Sequence, residues 1–279
     1  MKILLTGKNG QLGRAFLRQF DLYADMETFA TDIEDLDITD LDELKRAFVE
    51  VEPDFVVNCA AYTAVDDCET KRELALKVNA QAPADIAELC RENGVKLVHF
   101  STDYVFDGAK EAGYSEDDEV SPISFYGESK LRGEANIMKN MDDYYIVRTS
   151  LLFGDGANFV KTMIDLARDR HEMHIVDAFL CSPTYAEDLA KGVVDMILRA
   201  DAAPGFGIYH LTNDGACTRY EFAKKAFEFA GLDLKVKPVD ADYFPQIAAR
   251  PKYSTLLNNK LPHLRGWEAA LKEYVTNLS

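Results

Sequence analysis

The chain has 279 residues, of which 47% are hydrophobic and 28% are charged, and its formal net charge at pH 7 is −17. This length suffices for one large α/β core or two smaller lobes, and the composition is that of a soluble globular protein. The acidity argues against non-specific nucleic-acid binding, which requires a basic surface, while backbone amides can still bind a phosphate-bearing small ligand.

Strands and helices alternate through residues 1–150. The predicted strands are KILLTG, ETFATD, DFVVNCAA, VKLVHFST and YYIVRTS. The predicted helices are QLGRAFLRQF, LDELKRAFVEV, the long pattern CETKRELALKVNAQAPADIAELCREN, which Pro83 can bend, and residues 126–139. Because the apolar runs lack polar alternation, we expect a parallel sheet buried on both faces, in an α/β doubly wound, Rossmann-type fold.

The regular alternation of predicted strands and helices ends after Ser150. The pattern predicts helices at FVKTMIDLARDR, 185–199, 219–230 and WEAALKEYVTNL, strands at MHIV and GIYHLTN, and a turn-rich segment at 201–207. We therefore expect a dinucleotide-binding domain over residues 1–150 and a smaller α/β substrate lobe over residues 151–279. Some segments of the second half are expected to return to the first domain.

Targeting and redox features are few. The segment MKILLTGKNG has too short an apolar stretch for a signal peptide, and no run of about 18 apolar residues predicts a membrane helix. The five cysteines are odd in number and scattered, without a C-x-x-C pair. Free thiols in a reducing cytoplasm are the simplest interpretation, and no membrane partner is expected.

A glycine-rich turn follows the first strand. Gly7, Gly10 and Gly13 form a G-x-x-G-x-x-G pattern in TGKNGQLG, at the point where the first helix begins. Glycines here allow a sharp turn, close approach of a pyrophosphate and tight contact between helix and strand. The helix N-terminus adds free N–H groups for the phosphates. This setting predicts binding of a dinucleotide.

Asp32 closes the second predicted strand. A carboxylate at this position can accept hydrogen bonds from the adenosine ribose and would repel a 2′-phosphate, which favours NADH slightly over NADPH. A turn cap within DIEDLD is the alternative interpretation.

The segment FSTDYVFDG leaves the fourth predicted strand at its C-terminal end, where open α/β sheets bind ligands. The Thr102 hydroxyl can donate a hydrogen bond, and Asp103 can accept or relay a proton. The alternative is that these side chains only cap the strand and its turn.

Tyr126 and Lys130 stand four residues apart in SFYGESK, so a helix places them on one face. A free tyrosine has a pKa near 10, and a neighbouring ammonium is expected to lower it toward the range useful for proton transfer. Lys130 can also bind the nicotinamide ribose. Gly127 costs about 1 kcal/mol relative to alanine inside a helix, which predicts a close approach at this position.

In this order, TGKNGQLG, STD and YGESK resemble the signature of extended short-chain dehydrogenases/reductases. More narrowly, NCAAYTAVDDCE, LDITD, STDYVFDG, RTSLLFG, NFVKTM, SPTYAEDLA and RPKYSTLLNNKL look like the dTDP-4-dehydrorhamnose reductase family, over nearly the whole chain. The resemblance implies reduction of dTDP-4-dehydro-L-rhamnose to dTDP-L-rhamnose by NADH or NADPH, within polysaccharide biosynthesis. The partner it implies is a nucleotide sugar, and a homodimer is left open.

The resemblance also assigns site residues. It implies that Thr102, Tyr126 and Lys130 are catalytic. The cofactor residues that it implies are Gly7, Gly10, Gln11, Leu12, Gly13, Asp32, Asp37, Ile38, Ala61, Tyr62, Thr63, Tyr126 and Lys130. The implied substrate residues are Thr102, Asp103, Asn158 and Arg250. No metal ligands are predicted, and dependence on Mg²⁺ is left open.

Two positions depart from the family pattern. Leu151 stands where members often carry a tryptophan near the sugar, and Cys181 stands where a glycine is common before SPT or APT. Both departures leave the identity of the sugar open, while the predicted hydride-transfer residues are unaffected.

The sequence also bears on three other functions. A nucleotide-sugar 4,6-dehydratase is disfavoured because Tyr104, and not a glutamate, follows Asp103. A 4-epimerase of the same superfamily stays open, since it would differ by recycling its nicotinamide. A non-catalytic relative, similar to the regulatory subunit of methionine adenosyltransferase, also stays open.

Overall fold

The structure is a computed structural model that describes residues 1–199 and 205–278. Its strands are β1 (Lys2–Thr6), β2 (Glu27–Thr31), β3 (Phe55–Asn58), β4 (Lys96–Thr102), β5 (Tyr144–Thr149), β6 (Leu152–Phe153), β7 (Glu172–Val176), β8 (Leu180–Cys181), β9 (Thr184–Tyr185), β10 (Gly207–His210), β11 (Cys217–Thr218) and β12 (Lys235–Val239). The helices are α1 (Gln11–Phe20), α2 (Leu41–Val51), α3 (Val65–Thr70), α4 (Arg72–Leu76), α5 (Ala82–Asn93), α6 (Phe125–Asn140), α7 (Phe159–Ala167), α8 (Ala186–Leu198), α9 (Arg219–Phe229) and α10 (Trp267–Asn277).

Six of these strands form one parallel sheet in the order β10-β5-β4-β3-β1-β2. The order reverses beside β1, which creates the crevice typical of doubly wound sheets beyond the C-terminal strand ends. The predicted α/β, Rossmann-type fold class is confirmed. The sixth strand, β10, comes from the second half of the chain and pairs in parallel with β5.

Apolar layers cover both faces of the sheet. Along β1, Ile3 and Leu5 contribute to one layer, together with side chains of α1 and α8 such as Phe16 and Leu189. Leu4 points to the opposite layer, formed with α2 and α5. Because successive strand residues face opposite sides, an uninterrupted apolar run is the expected sequence of a strand buried on both faces.

A third apolar cluster lies around α7, α9 and α10, and Phe153, Phe222, Phe227 and Leu271 are among its buried members. The strand pair β7 and β12 runs in parallel beside this cluster. The division at residue 150 stays a prediction. Residues 201–204 of the predicted turn segment fall outside the described part of the chain.

The prediction of a single long helix after DFVVNCAA is wrong, because the segment is interrupted. The structure has α3 and α4, then a π-helical turn at Lys77–Gln81, and then α5. Pro83 lies in the first turn of α5, where its missing N–H costs nothing, so the irregular segment precedes the proline. Within residues 1–199 and 205–278, no helix has both the length and the apolar content needed to span a bilayer.

Candidate active site

A cavity of about 400 Å³ lies beyond the C-terminal ends of β1, β3, β4 and β5. Ten residues predicted from the sequence line it: Gly10, Gln11, Leu12, Gly13, Ala61, Thr63, Thr102, Asp103, Tyr126 and Lys130. Distant segments of the chain are therefore brought to one cleft, at the edge of the sheet where ligands bind in this architecture.

The glycine loop is shaped by close backbone contacts. Gly7 has φ +72°, and a Cβ there would lie 2.8 Å from the Ala60 nitrogen. A Cβ on Gly13 would lie 2.2 Å from the Gly7 carbonyl oxygen. No side chain caps the N-terminus of α1, so its first N–H groups face the cavity region with hydrogen-bonding capacity to spare.

Three buried polar atoms along this cavity have no hydrogen-bond partner in the described part of the chain: Gln11 Oε1, Ser101 Oγ and Thr149 Oγ1. An unsatisfied buried polar group costs about 1–3 kcal/mol. Their placement beside the glycine loop fits a ligand with several polar groups, and the residues present therefore fit a dinucleotide. The sequence offered no signal for Ser101 or Thr149 beyond their position at strand ends.

Tyr126 and Lys130 project from the first turns of α6, whose N-terminus is capped by Ser124 Oγ accepting from the Gly127 N–H at 3.2 Å. Burial raises the pKa of the Tyr126 phenol, and a hydrogen bond with Thr102 acts against that rise. The prediction that Lys130 lowers the Tyr126 pKa below its usual value is wrong in net direction, because desolvation dominates.

Lys130 belongs to a chain of buried polar side chains. Its Nζ lies 3.2 Å from His99 Nε2, and His99 Nδ1 lies 3.1 Å from Asn58 Nδ2. Thr6 Oγ1 donates to Asn58 Oδ1 at 2.7 Å. Sequence reasoning missed His99 and Asn58, although polar residues inside or ending the apolar runs VKLVHFST and DFVVN were an available signal.

Asp103 is buried beneath the cavity wall. Its carboxylate accepts from Thr102 Oγ1 at 3.0 Å and from Ser150 Oγ at 2.8 Å. Burial raises the Asp103 pKa, and these hydroxyls act against the rise. The Tyr104 N–H also donates to Thr102 Oγ1 at 3.1 Å, so Thr102 caps the turn while lining the cavity.

Other predicted cofactor residues lie outside the cavity lining. The Asp32 carboxylate accepts a hydrogen bond from the Asn9 N–H at 2.8 Å and so stabilises the glycine loop. Asp37 accepts from Thr39, and Ile38 is buried in the core. The Tyr62 N–H donates to Asn79 Oδ1 at 2.8 Å, which links the predicted cofactor residues 61–63 to the π-helical turn. Their contacts with a cofactor stay predictions.

The two predicted substrate residues of the second half have protein partners. The Asn158 amide donates to the Gly154 carbonyl at 2.7 Å and to Tyr274 Oη at 2.6 Å, and its oxygen caps α7. Arg250 forms a two-pronged ion pair with Asp66, with N···O distances of 3.0 and 2.9 Å. Neither residue lines the cavity, and their roles in substrate binding stay predictions.

Comparison with known proteins gives a consistent result. The family model described as RmlD substrate binding domain matches residues 1–279. The spore coat polysaccharide biosynthesis protein SpsK of Bacillus subtilis is 37% identical over 283 residues, covering 100% of this chain and 98% of the relative. A dTDP-4-keto-6-deoxy-D-glucose reductase of Streptomyces niveus is 35% identical over 281 residues, covering 97% of this chain and 95% of the relative.

Solved structures agree over the full length. A dTDP-4-dehydrorhamnose reductase of Clostridium acetobutylicum has a TM-score of 0.95 and 43% identity, covering 100% of this chain and 99% of that one. The dTDP-4-dehydrorhamnose reductase of Bacillus anthracis, solved in complex with NADP, has a TM-score of 0.94 and 36% identity, covering 99% of each chain. The chain therefore belongs to the RmlD substrate-binding-domain family, and its resemblance to the dTDP-4-dehydrorhamnose reductases is confirmed.

Proposed function

We propose that the protein is an NAD(P)H-dependent reductase of dTDP-linked 4-keto-6-deoxy sugars, and that its reaction converts dTDP-4-dehydro-L-rhamnose to dTDP-L-rhamnose. The observation that carries this proposal is the meeting of Thr102, Tyr126 and Lys130 with the glycine loop in one cavity. The relatives named as reductases of such sugars support it.

The cofactor would be held by the glycine loop and the N-terminus of α1, with Gln11, Ala61, Thr63 and Lys130 beside it. When bound, it supplies a hydride to the carbonyl carbon of the sugar. The NADP complex of the Bacillus anthracis relative weighs against the slight preference for NADH that Asp32 suggested. The proposed hydride donor is therefore NADH or NADPH.

Tyr126 would supply the proton. Its raised pKa keeps the phenol protonated at neutral pH, which is the state that a general acid requires. As the carbonyl carbon gains hydride, Tyr126 Oη donates its proton to the carbonyl oxygen and the alcohol forms. The Thr102 hydroxyl turns its single proton from Asp103 Oδ1 to the developing oxyanion, and the Lys130 ammonium, one helical turn away, stabilises the phenolate left behind.

The test follows the absorbance of NADH and of NADPH separately, with freshly prepared dTDP-4-dehydro-L-rhamnose. Stoichiometric oxidation of either cofactor is expected, and its absence with both would reject the proposal. Tyr126→Phe should lower kcat by about a hundredfold or more while binding of NADPH is retained. Tyr23→Phe, away from the cavity, is the matched control and should keep full activity.

The same assay separates the remaining alternatives. An epimerase would interconvert sugars without net consumption of the nicotinamide, and a non-catalytic relative would bind ligands without turnover.

Cytoplasmic location and a homodimer are parts of the proposal as well. Light scattering coupled to size-exclusion chromatography tests the dimer directly.

A further inference from the structure

Arg219 is a half-buried arginine that the mechanism above does not use. It is the first residue of α9, immediately after the capping residue Thr218. The chain has 48 acidic residues against 31 lysines and arginines, so most arginines can find a carboxylate. Within residues 1–199 and 205–278, however, the Arg219 side chain forms no ion pair or hydrogen bond.

Contacts of Arg219 and of the strand before it locate its charge. Its Cζ lies 5.9 Å from the centre of the Phe159 ring. Burial raises the pKa of the Tyr104 phenol to about 12, and the positive charges of Arg219 and Arg250 act against that rise. Burial also raises the pKa of the Cys181 thiol, which Arg219 again opposes. Arg219 also follows β11 directly, and Cys217 of β11 pairs with Cys181 of β8. Phe159, which the guanidinium contacts, stands two residues after Ala157 of the cavity lining. These contacts and the two pKa effects place the guanidinium near Cys181 and close to the cavity lining.

Tyr104 connects this position to the catalytic residues. Its ring meets the Tyr126 ring edge-on, with centroids 5.7 Å apart. A sugar whose C4 oxygen meets Tyr126 carries its diphosphate on C1, across the width of the sugar ring. If this diphosphate points toward Tyr104, it enters the region where the charges of Arg219 and Arg250 both act.

The two arginines differ in availability. Both oxygens of Asp66 already bind Arg250, whereas Arg219 has no carboxylate partner in the part of the chain that the structure describes. A guanidinium can bind two phosphate oxygens at once through parallel N–H donors. In a strongly acidic protein, a guanidinium without a carboxylate partner fits a ligand that brings its own negative charge.

We propose that Arg219 binds the diphosphate of the nucleotide-linked substrate and determines selectivity for nucleoside diphosphates over nucleosides. This inference rests on the proposed function, because that function supplies a diphosphate-bearing substrate. The residue acts at a distance from the reacting carbon, so it contributes equally to ground-state and transition-state binding. Its loss is therefore expected in KM and not in kcat.

The test compares the wild-type protein with Arg219→Gln and Arg219→Lys. Isothermal titration with dTDP, dTMP and thymidine measures how affinity depends on phosphate number. Losing a charged hydrogen-bond pair should weaken dTDP binding about ten- to hundredfold, with a smaller loss for dTMP and none for thymidine. Arg219→Lys should recover part of the affinity, because it keeps the charge but not the two-pronged geometry.

Arg168→Gln is the matched control, since Arg168 is an exposed arginine of the second half that pairs with Asp165. It should bind dTDP as the wild type does, and NADPH affinity should be the same in all variants. In turnover assays, Arg219→Gln should raise KM for the sugar nucleotide and leave kcat within about threefold.

Failure of this inference is distinct from failure of the proposed function. If Arg219→Gln binds dTDP as tightly as the wild type, or if the wild type does not bind dTDP, Arg219 is not the diphosphate ligand. If the wild type binds dTDP and Arg219→Gln does not, the assignment stands even where no reductase activity is found.

Discussion

Lys130 Nζ lies 3.2 Å from His99 Nε2, and both side chains are buried in the sheet-helix interface beneath the cavity. Burial lowers the pKa of Lys130 to about 8, with Glu134 and Cys59 acting against the fall. Burial together with the Lys130 charge holds the His99 pKa well below its usual value. The imidazole is therefore neutral at working pH, and Lys130 changes charge within the range where the protein can be assayed.

This relationship predicts the pH dependence of the reaction. Lys130 is charged below a pH of about 8 and neutral above it. If its ammonium stabilises the Tyr126 phenolate and binds the cofactor ribose, kcat/KM should fall as pH rises through that value. Since kcat/KM reports groups of the free enzyme, the alkaline limb should appear near pH 8 in initial-rate measurements between pH 6 and pH 10.

His99→Phe should move this limb. Because the Asn58 amide donates to His99 Nδ1, the neutral imidazole carries its proton on Nε2 and can donate it only to a neutral Lys130 amine. His99→Phe removes this hydrogen bond to the neutral amine, so the Lys130 pKa should rise and the alkaline limb should shift to higher pH. His99→Gln, whose amide N–H can donate, should restore part of the profile. His263→Phe is the control, because His263 is exposed and pairs with Asp214. An unchanged limb in His99→Phe would contradict the assignment.

Sequence patterns predicted those features that depend on local spacing. The run KILLT could be assigned to a doubly buried strand because Ile3, Leu4 and Leu5 are apolar in succession, without polar alternation. Gly7 to Gly13 and the Tyr126–Lys130 pair could be placed because a turn and one helix face are set by neighbours in the chain. Their meeting in one cavity followed from the rule that ligands bind at the C-terminal strand ends.

Features that depend on contacts between distant segments could not be predicted in this way. The π-helical turn is held where Asn79 bonds both Tyr62 and Ser129, and no local pattern indicates those partners. The His99–Lys130 contact depends on how α6 packs on β4. Arg250 likewise meets Asp66 across 184 positions of the chain.

Gly127 gives a prediction about packing beside the reaction site. A Cβ at this position would lie 2.1 Å from the Tyr104 carbonyl oxygen, which agrees with the close approach expected from the sequence. Alanine normally stabilises a helix interior by about 1 kcal/mol relative to glycine. Here the clash should reverse the sign, and Gly127→Ala should lower the free energy of unfolding by about 1–3 kcal/mol.

Denaturant titration measures this change, and steady-state kinetics should show a lower kcat, since α6 carries Tyr126 and Lys130. Gly266→Ala is the comparison, because a Cβ there meets no atom within 4 Å and its backbone φ is −60°. A Gly127→Ala protein with wild-type stability and kcat would show that the backbone at Tyr104 moves freely.

Asp66 anchors the segment 247–250 to α3. Its Oδ1 accepts from the backbone N–H groups of Ile247 at 3.1 Å and Ala248 at 2.9 Å, and both of its oxygens bind Arg250. Arg250 lowers the pKa of this carboxyl to about 2, against a smaller opposing effect of burial. The contribution of a lowered pKa is complete above the ordinary aspartate range and is lost as pH falls through the folded value.

Asp66→Asn should therefore loosen the segment while the fold is retained. Replacing a charged acceptor that serves two N–H groups and a guanidinium should speed hydrogen exchange of the Ile247 and Ala248 amides by roughly tenfold. Mass spectrometry of the peptide containing residues 245–252 measures this rate. In the wild type, protection beyond the intrinsic pH dependence of exchange should hold down to about pH 4 and decrease below it.

Asp67→Asn removes the adjacent carboxylate, which pairs with Lys71, and should leave this peptide unchanged. Equal exchange rates in Asp66→Asn and the wild type would show that the Asp66 carboxylate does not protect these two amides.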